Sequence, residues 1–499
     1  MTVSAAPAAA QGGGECGAQE SQMASALSRE WRAFKELAIL VAPISAGSLI
    51  NVLADRWTLA YVGHWDFKDV THFDGASIGK MYSNITGLSL GVSSTIGLAT
   101  FCSQAHGAGR SREENPVFLR RAAILLGACF AFALLAAVFC EPVLTSMGQP
   151  ADVAHTSARY AQMQLIGVPF WWLSSTVMTT LNSMKITRPG LVMSMVSSCA
   201  QLACCALLCN PRLGGMGYLG VGLGRSLGGM TSLLVIVAQV HFMGLQDSVW
   251  RLNRESEQVM KPGALKAYLA VSVPSALIVW SEWWAFEVLA LFVGWTPNAR
   301  LNLAAHGTMF SLIVPVYMVW VGTCSALCAL IGNKLGAERN EEILPVLRAA
   351  FTWSASTGLL ISLAYEFGKG ALAAAFTEDV EVQDLLKRSS LGVVLSVPTY
   401  AIMMTFFGAL RGANLQRPAI LGNFVGYWIV GLPLGFVLGC VAHWPTPLLG
   451  VWAGNVVALS IACAWVLIAV FVRIDWRTVR RVTAVGGAGA ALLGPRGAS

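Results

Sequence analysis

Residues 107–117 read Gly-Ala-Gly-Arg-Ser-Arg-Glu-Glu-Asn-Pro-Val, and residues 336–346 read Gly-Ala-Glu-Arg-Asn-Glu-Glu-Ile-Leu-Pro-Val. The two stretches share Gly107-Ala108, Arg110, Glu113 and Pro116-Val117 with Gly336-Ala337, Arg339, Glu342 and Pro345-Val346, at a constant offset of 229. The offset persists beyond them. Val168-Pro169 matches Val397-Pro398, Leu181 matches Leu410, and Arg188-Pro189 matches Arg417-Pro418. With small indels Pro43 pairs with Pro274, and Leu219-Gly220-Val221 with Leu449-Gly450-Val451. Chance identities scatter over many offsets. These keep one, so the chain is an internal duplication.

Composition says what solvent the duplicated unit meets. Of 499 residues, 55% are hydrophobic and 12% charged, and the mean hydropathy is +0.62. That is about half the charge of a soluble domain. Such a chain cannot cover a water-facing surface, so lipid surrounds most of it. The formal charge of +7 in a soluble protein would suggest nucleic acid. Here the basic residues sit in short loops between apolar runs, and no nucleic-acid partner is expected. The twelve cysteines contain no CxxC pair and lie mostly inside apolar runs, which reads as inert packing and no metal site.

A membrane helix needs about 20 mostly apolar residues. Twelve spans are expected, over 37–62, 76–101, 121–141, 157–181, 190–209, 218–243, 267–294, 303–331, 346–367, 387–409, 419–441 and 448–472. The runs are continuous, without the alternation of a membrane β-barrel, so the fold class is all-α and polytopic. Residues 1–32 read as a disordered cytosolic tail, 33–245 as a first six-helix lobe, 246–264 as a cytoplasmic linker, 265–480 as a second six-helix lobe and 481–499 as a flexible tail. The amino-terminal flank, the loops after even-numbered spans and the carboxyl tail hold 23 of the 33 lysines and arginines, the opposite loops six. The positive-inside rule then puts both termini in the cytoplasm. Six spans per half is an even number, so both halves enter the membrane in the same sense. Two parallel lobes with a cavity between them follow, an arrangement found in transporters.

Four stretches carry a family resemblance. They are Ser103-Gln104-Ala105-His106-Gly107-Ala108, Glu282-Trp283-Trp284-Ala285-Phe286-Glu287, Gly332-Asn333-Lys334-Leu335-Gly336-Ala337, and Asn423 to Gly435 with Gly426-Tyr427-Trp428 and Gly431-Leu432-Pro433. They are similar to the CxQAxGA, EWWxFE, GNxLGA and N…GYYxxGxP signatures of the multidrug and toxic compound extrusion (MATE) family, eukaryotic branch. The resemblance runs from about residue 33 to 480. It implies export of organic cations and other small organic molecules against protons or sodium ions, by a monomer in contact with membrane lipids. The membrane is the plasma membrane or that of a vacuole or other organelle. The resemblance also exposes departures, because Ser311 and Tyr400 fall where animal members of the family place further carboxylates in spans 8 and 10.

The residues suggest where coupling resides. Glu282 and Glu287 lie in the outer half of span 7, and a carboxylate in hydrocarbon is costly and functional by default. Such a group holds a proton or a cation but not both, which is the core of an antiport cycle. Five residues apart, the two point about 140° from one another on a helix and do not share one site. Trp283, Trp284 and Phe286 add aromatic faces suited to an organic cation. Asp55 in span 1 is a third coupling candidate, although Thr58 occupies the position of the coupling aspartate in bacterial relatives. Arg225 in span 6 either pairs with Asp55 or marks a taste for anionic substrates. Asn84, Gln104, His306 and Tyr400 complete the candidate cavity, with interhelical hydrogen bonding as the plainer role of the first two.

Other classes fit less well. The chain has no GxxxxGK[ST] loop, no HExxH and no pair of carboxylates four residues apart within a span, so neither an ATP-driven pump nor a membrane enzyme is expected. A flippase for lipid-linked sugars would use basic cavity residues, and only Arg225, Lys80 and Arg159 qualify. No cofactor beyond a coupling ion is implied.

Overall fold

A computed structural model describes residues 12–65, 70–252 and 263–481, and these form helices joined by short turns and loops, with no strand among them. Among the described residues, eleven helices are long and apolar enough to cross a bilayer. Spans 1 to 3 are Leu27–Gly63, Thr71–Gly107 and Ser111–Val138; spans 5 and 6 are Arg188–Cys209 and Tyr218–Phe242. Spans 7 to 12 are Leu265–Gly294, Ala299–Gly336, Asn340–Phe376, Ser390–Gly412, Arg417–Val441 and Pro447–Arg473.

Span 4 is the exception, being two helices, Ala151–Leu165 and Val168–Ser183. Pro169 in the first turn of the second piece has no N–H for the helical ladder. Ser226 of span 6 fills the gap. Its hydroxyl donates to the carbonyls of Met163 (2.6 Å) and Gln164 (3.1 Å) and accepts from the amide of Gly167 (2.9 Å). Gly167 is needed there, since a Cβ would overlap the Ser226 backbone.

The first helix begins at Gly12, ahead of the membrane, and so replaces much of the tail expected over residues 1–32. Ala, Gln, Glu, Met, Leu and Arg dominate that stretch and all favour a helix. The linker expected over 246–264 opens with a short helix, Gln246–Val249. The tail expected over 481–499 lies almost wholly outside the described residues.

Charged loops cluster at one end of the bundle, here the basic end. The two lobes meet along spans 1, 2, 7 and 8, and their polar contacts gather toward that end. Ser45 Oγ donates to the Val319 carbonyl (2.7 Å), Thr100 Oγ1 to that of Arg411 (2.8 Å) and Gln104 Nε2 to that of Gly412 (2.8 Å). Asn333 Nδ2 donates to the Ser183 carbonyl (2.8 Å), and the ion pairs Lys334–Glu36 (3.4 Å) and Arg348–Glu30 (3.1 Å) also cross. Helices approach this closely because the seam is lined by Gly107, Gly332 and Gly336. A Cβ on them would overlap Asn333, Ser103 and Gln104 respectively. The repeated Gly-Ala segments are therefore the mutual contact of the two lobes.

Candidate functional site

Glu282 sits near mid-membrane, about 18 Å by helical rise from the far end of span 7. It is 5% exposed. Its carboxylate lies within hydrogen-bonding reach of the Tyr400 hydroxyl on span 10, and the Arg411 guanidinium is near enough to act on it electrostatically. Tyr317 stacks on Tyr400 with ring centroids 3.8 Å apart and donates to Ser396 Oγ (3.3 Å). The buried Tyr427 of span 11 closes the nest, and its hydroxyl makes no well-formed hydrogen bond. Arg411 is buried one residue from the end of span 10; its Nη1 meets Cys324 Sγ (3.3 Å), while Nε and Nη2 have no partner among the described residues. Four spans thus converge on one carboxylate, with hydrogen-bonding capacity left over.

Span 11 brings Tyr427 and Trp428 to this point through a wide π-helical turn over Val425–Gly431. Gly426 and Gly431 let span 12 press against that turn at Ala458, where no Cβ would fit. Asn423 Nδ2 donates to the Ile278 carbonyl (3.0 Å) and Trp428 Nε1 to Ser281 Oγ (2.9 Å), which tie span 11 to span 7 in the turn just before Glu282. Between the same two helices lies a cavity of about 410 Å³ lined by Leu277, Trp280, Ser281, Trp284, Ile420, Phe424 and Trp428. Its wall is almost wholly aromatic and aliphatic, and Ser281 links it in sequence to Glu282. Trp280 Nε1 donates to the Ser89 carbonyl of span 2 (3.4 Å), so the cavity lies beside the lobe seam.

The other expected residues are distributed differently. Glu287 is on the exposed face of span 7 with no ion-pair partner among the described residues, away from Glu282. Trp283 is exposed on the same helix, and Trp284 turns into the cavity. Phe286 packs edge-on against Tyr427 (6.1 Å). His306 is buried against Phe310 and Trp452 with its Nδ1 unpartnered, in a cluster separate from Glu282. Gln104 belongs to the seam at the basic end and not to a cavity, because its amide side chain is spent on the Gly412 carbonyl. Asn84 begins a π-helical turn over Asn84–Leu88 and is half-buried.

Asp55 forms its own cluster inside the first lobe. One carboxylate oxygen contacts an Arg225 guanidinium nitrogen and the other lies 2.7 Å from Lys80 Nζ, which also donates to the Asp55 carbonyl (3.1 Å). The pairing of Arg225 with Asp55, one of its two readings, is present in the structure. Lys80, weighed in the sequence only as a flippase residue, is the third member. Arg411, Tyr317, Trp280 and Trp428 carried no signal as site residues. Arg411 stands one residue from the end of span 10, and its burial there depends on the neighbouring span.

Comparison with known proteins agrees with this architecture. The MatE family model matches residues 43–207 and 274–437, one match in each lobe. "Multidrug and toxin extrusion protein 2" of Oryctolagus cuniculus is 24% identical over 451 residues, 90% of this chain and 72% of that protein. "Protein DETOXIFICATION 32" of Arabidopsis thaliana is 26% identical over 410 residues, 81% of this chain and 76% of that protein. Among solved structures, that of the eukaryotic MATE transporter AtDTX14 superposes with a TM-score of 0.81 at 19% identity, over 90% of this chain and 97% of the other. Two lobes with eleven apolar membrane-length helices and one spliced crossing among the described residues, and a family match in both halves, make this chain a member of the MatE family, a multi-pass membrane transporter of small organic molecules and not an enzyme.

Proposed function

We propose that the chain is a secondary antiporter that exports small organic cations and related metabolites or xenobiotics in exchange for protons. The observation that carries this is Glu282, a lone buried carboxylate among three tyrosines and beside a tryptophan-lined cavity. An aromatic wall takes a planar or cationic organic body, and the buried carboxylate of Glu282, outside that wall but on the residue next to its Ser281, supplies the negative charge. When ionised, Glu282 accepts from Tyr400 and attracts a cation. When protonated, it loses its attraction for the cation. Competition of proton and solute for one group couples their movements without any covalent step. One pH unit across the membrane supplies about 1.36 kcal/mol per proton, enough for roughly a tenfold gradient of a monovalent cation.

The excess of basic loops supports an orientation with the basic end and both termini in the cytoplasm. The seam then closes the cytoplasmic half, as in a state open to the outside. An acidic vacuolar or organellar lumen would serve as well as the cell exterior.

The test is uptake of a fluorescent organic cation into inside-out vesicles holding the purified protein, with an acid-inside gradient and no sodium. The expected result is gradient-driven uptake that is lost in Glu282→Gln and kept in Glu287→Gln. Uptake that needs sodium instead of the pH gradient would replace the proton as coupling ion. Uptake unaffected by Glu282→Gln would overturn the assignment.

A further inference from the structure

The seam that closes the basic end carries a row of four charges, two from each lobe. Lys185 Nζ lies 2.7 Å from Glu36 Oε1 within the first lobe, and Lys334 Nζ lies 2.7 Å from Glu342 Oε2 within the second. Between these pairs runs a longer contact, Lys334 Nζ to Glu36 Oε2 at 3.4 Å, and it alone of the three crosses from lobe to lobe. The local backbone sets this order. Lys185 stands two residues past the end of span 4 in the left-handed region (φ 63°), where the chain turns back. Glu338 (φ 58°) makes the same kind of turn two residues past span 8 and returns the chain toward Glu342. Gly332 and Gly336 flank Lys334 and sit flush against Ser103 and Gln104 of the first lobe, which holds Lys334 at the seam with 10% of its side chain exposed. The row exists once, since at the offset of 229 Lys334 corresponds to Ala105 and Lys185 to Asn414. Parting the lobes breaks only the 3.4 Å contact. Glu36 keeps Lys185 and Lys334 keeps Glu342, so no charge in the row is stranded. Without either of those inner partners, opening would strand a charge, which costs far more than loosening a half-exposed pair. The inner partners also act across the closed seam as like charges, Lys185 on Lys334 and Glu342 on Glu36.

We propose that this row is a release latch for the gate at the basic end: Lys334 is shared by Glu36 and Glu342 while the seam is closed and passes to Glu342 alone when it opens. Lys185 and Glu342 make no ion pair across the seam. Their part is to keep the latch weak, by giving each member of the crossing pair a partner in its own lobe. The neighbouring crossing pair Arg348–Glu30 lies further out, with Arg348 59% exposed, so water replaces its partner on opening. The latch rests on transport by movement of the two lobes, and neither on Glu282 nor on the identity of the coupling ion.

The test sets opposite expectations against each other. Deuterium uptake is followed by mass spectrometry on peptides covering residues 103–109 and 332–338, in purified full-length protein in detergent, with no solute and no gradient. Lys185→Met and Glu342→Gln each remove an inner partner and are expected to slow uptake at the seam by about threefold, because opening now strands Glu36 or Lys334. Lys334→Met removes the crossing contact and is expected to speed uptake by about the same factor. The double variant Lys185→Met/Lys334→Met should behave like Lys334→Met alone. Slowing is an outcome that structural damage does not produce. In vesicles, counterflow of a fluorescent organic cation against unlabelled excess, without a gradient, should slow in the two variants that tighten the latch. Deuterium uptake unchanged or faster in both Lys185→Met and Glu342→Gln would overturn the latch, as would unchanged uptake in Lys334→Met. Cation transport without the deuterium pattern would remove the latch and keep the antiporter reading. The deuterium pattern in a protein that moves no cation under any condition would keep the latch and remove the antiporter reading.

Discussion

The two lobes arose from one segment and place their chemistry at different points of it. At the offset of 231 that relates Pro43 to Pro274, Asp55 corresponds to Phe286 and Glu282 corresponds to Asn51. At the offset of 230 that relates Leu219 to Leu449, Arg225 corresponds to Asn455. Where the first lobe holds an ion cluster, the second holds Phe286 and Asn455 around a small apolar space. Where the second lobe holds its buried carboxylate, the first holds Asn51, a neutral amide bonded to Ser194 Oγ and Ser198 Oγ at 3.1 Å each. Ser198 in turn corresponds to Tyr427 at the offset of 229. The helix pairing is the same, span 1 on span 5 and span 7 on span 11, while the group between them is inert in one lobe and titratable in the other. Duplication thus keeps geometry and frees chemistry. The second lobe has a buried carboxylate with no ion-pair partner among the described residues, and the first has one paired with two cations.

That contrast is open to attack in order of expected effect. Asp55→Asn leaves Lys80 and Arg225 buried without their counter-charge and is expected to cost about 3–5 kcal/mol, read as a lowered thermal midpoint in detergent. A stable variant that no longer couples protons would instead make the first lobe the working one. Tyr400→Phe removes the donor to Glu282, a bond to a charged group worth about 1.5–3 kcal/mol, and gradient-driven transport should slow by roughly tenfold or more with the fold intact. Unchanged rates would detach the tyrosine nest from function. Trp428→Phe keeps the aromatic wall but gives up the bond to Ser281, about 1 kcal/mol, and should raise the apparent KM of an organic cation several-fold with little change in maximal rate. Lys80→Met and Glu287→Gln are expected to change stability by less than about 1 kcal/mol, the first because a balanced pair remains, the second because its side chain faces outward. A large loss in Glu287→Gln would move the active carboxylate by more than a turn.

Much of the fold was legible because it rests on patterns that need no partner. Apolar runs of membrane length, the constant offset of the duplication and the distribution of lysine and arginine point to the same two-lobe bundle. The break in span 4 was not legible as a break. Ile166 and Gly167 sit inside an apolar run, and what separates the helices is a hydroxyl fifty-nine residues further on. The site was legible in outline only. The span 7 motif marks both glutamates, yet which one is buried depends on which face of the helix span 10 and span 11 cover. The aspartate and arginine of the first lobe stood out as charges at membrane depth, while Lys80 completes them only because spans 2 and 6 come together around span 1.

The splice in span 4 bears on how the protein is made. A membrane segment ordinarily enters the bilayer with every backbone group satisfied within itself. This one does not wholly: the Gln164 carbonyl accepts from the Gly167 amide within the segment (3.1 Å), but the Met163 carbonyl takes the Ser226 hydroxyl of span 6, which is synthesised two crossings later. Until Ser226 arrives, the elbow lacks the donor that span 6 brings to the Met163 carbonyl. Spans 4, 5 and 6 therefore have reason to leave the insertion machinery together, as a three-helix parcel, and a ribosome paused between residues 183 and 218 would hold the half-built lobe at its most vulnerable point.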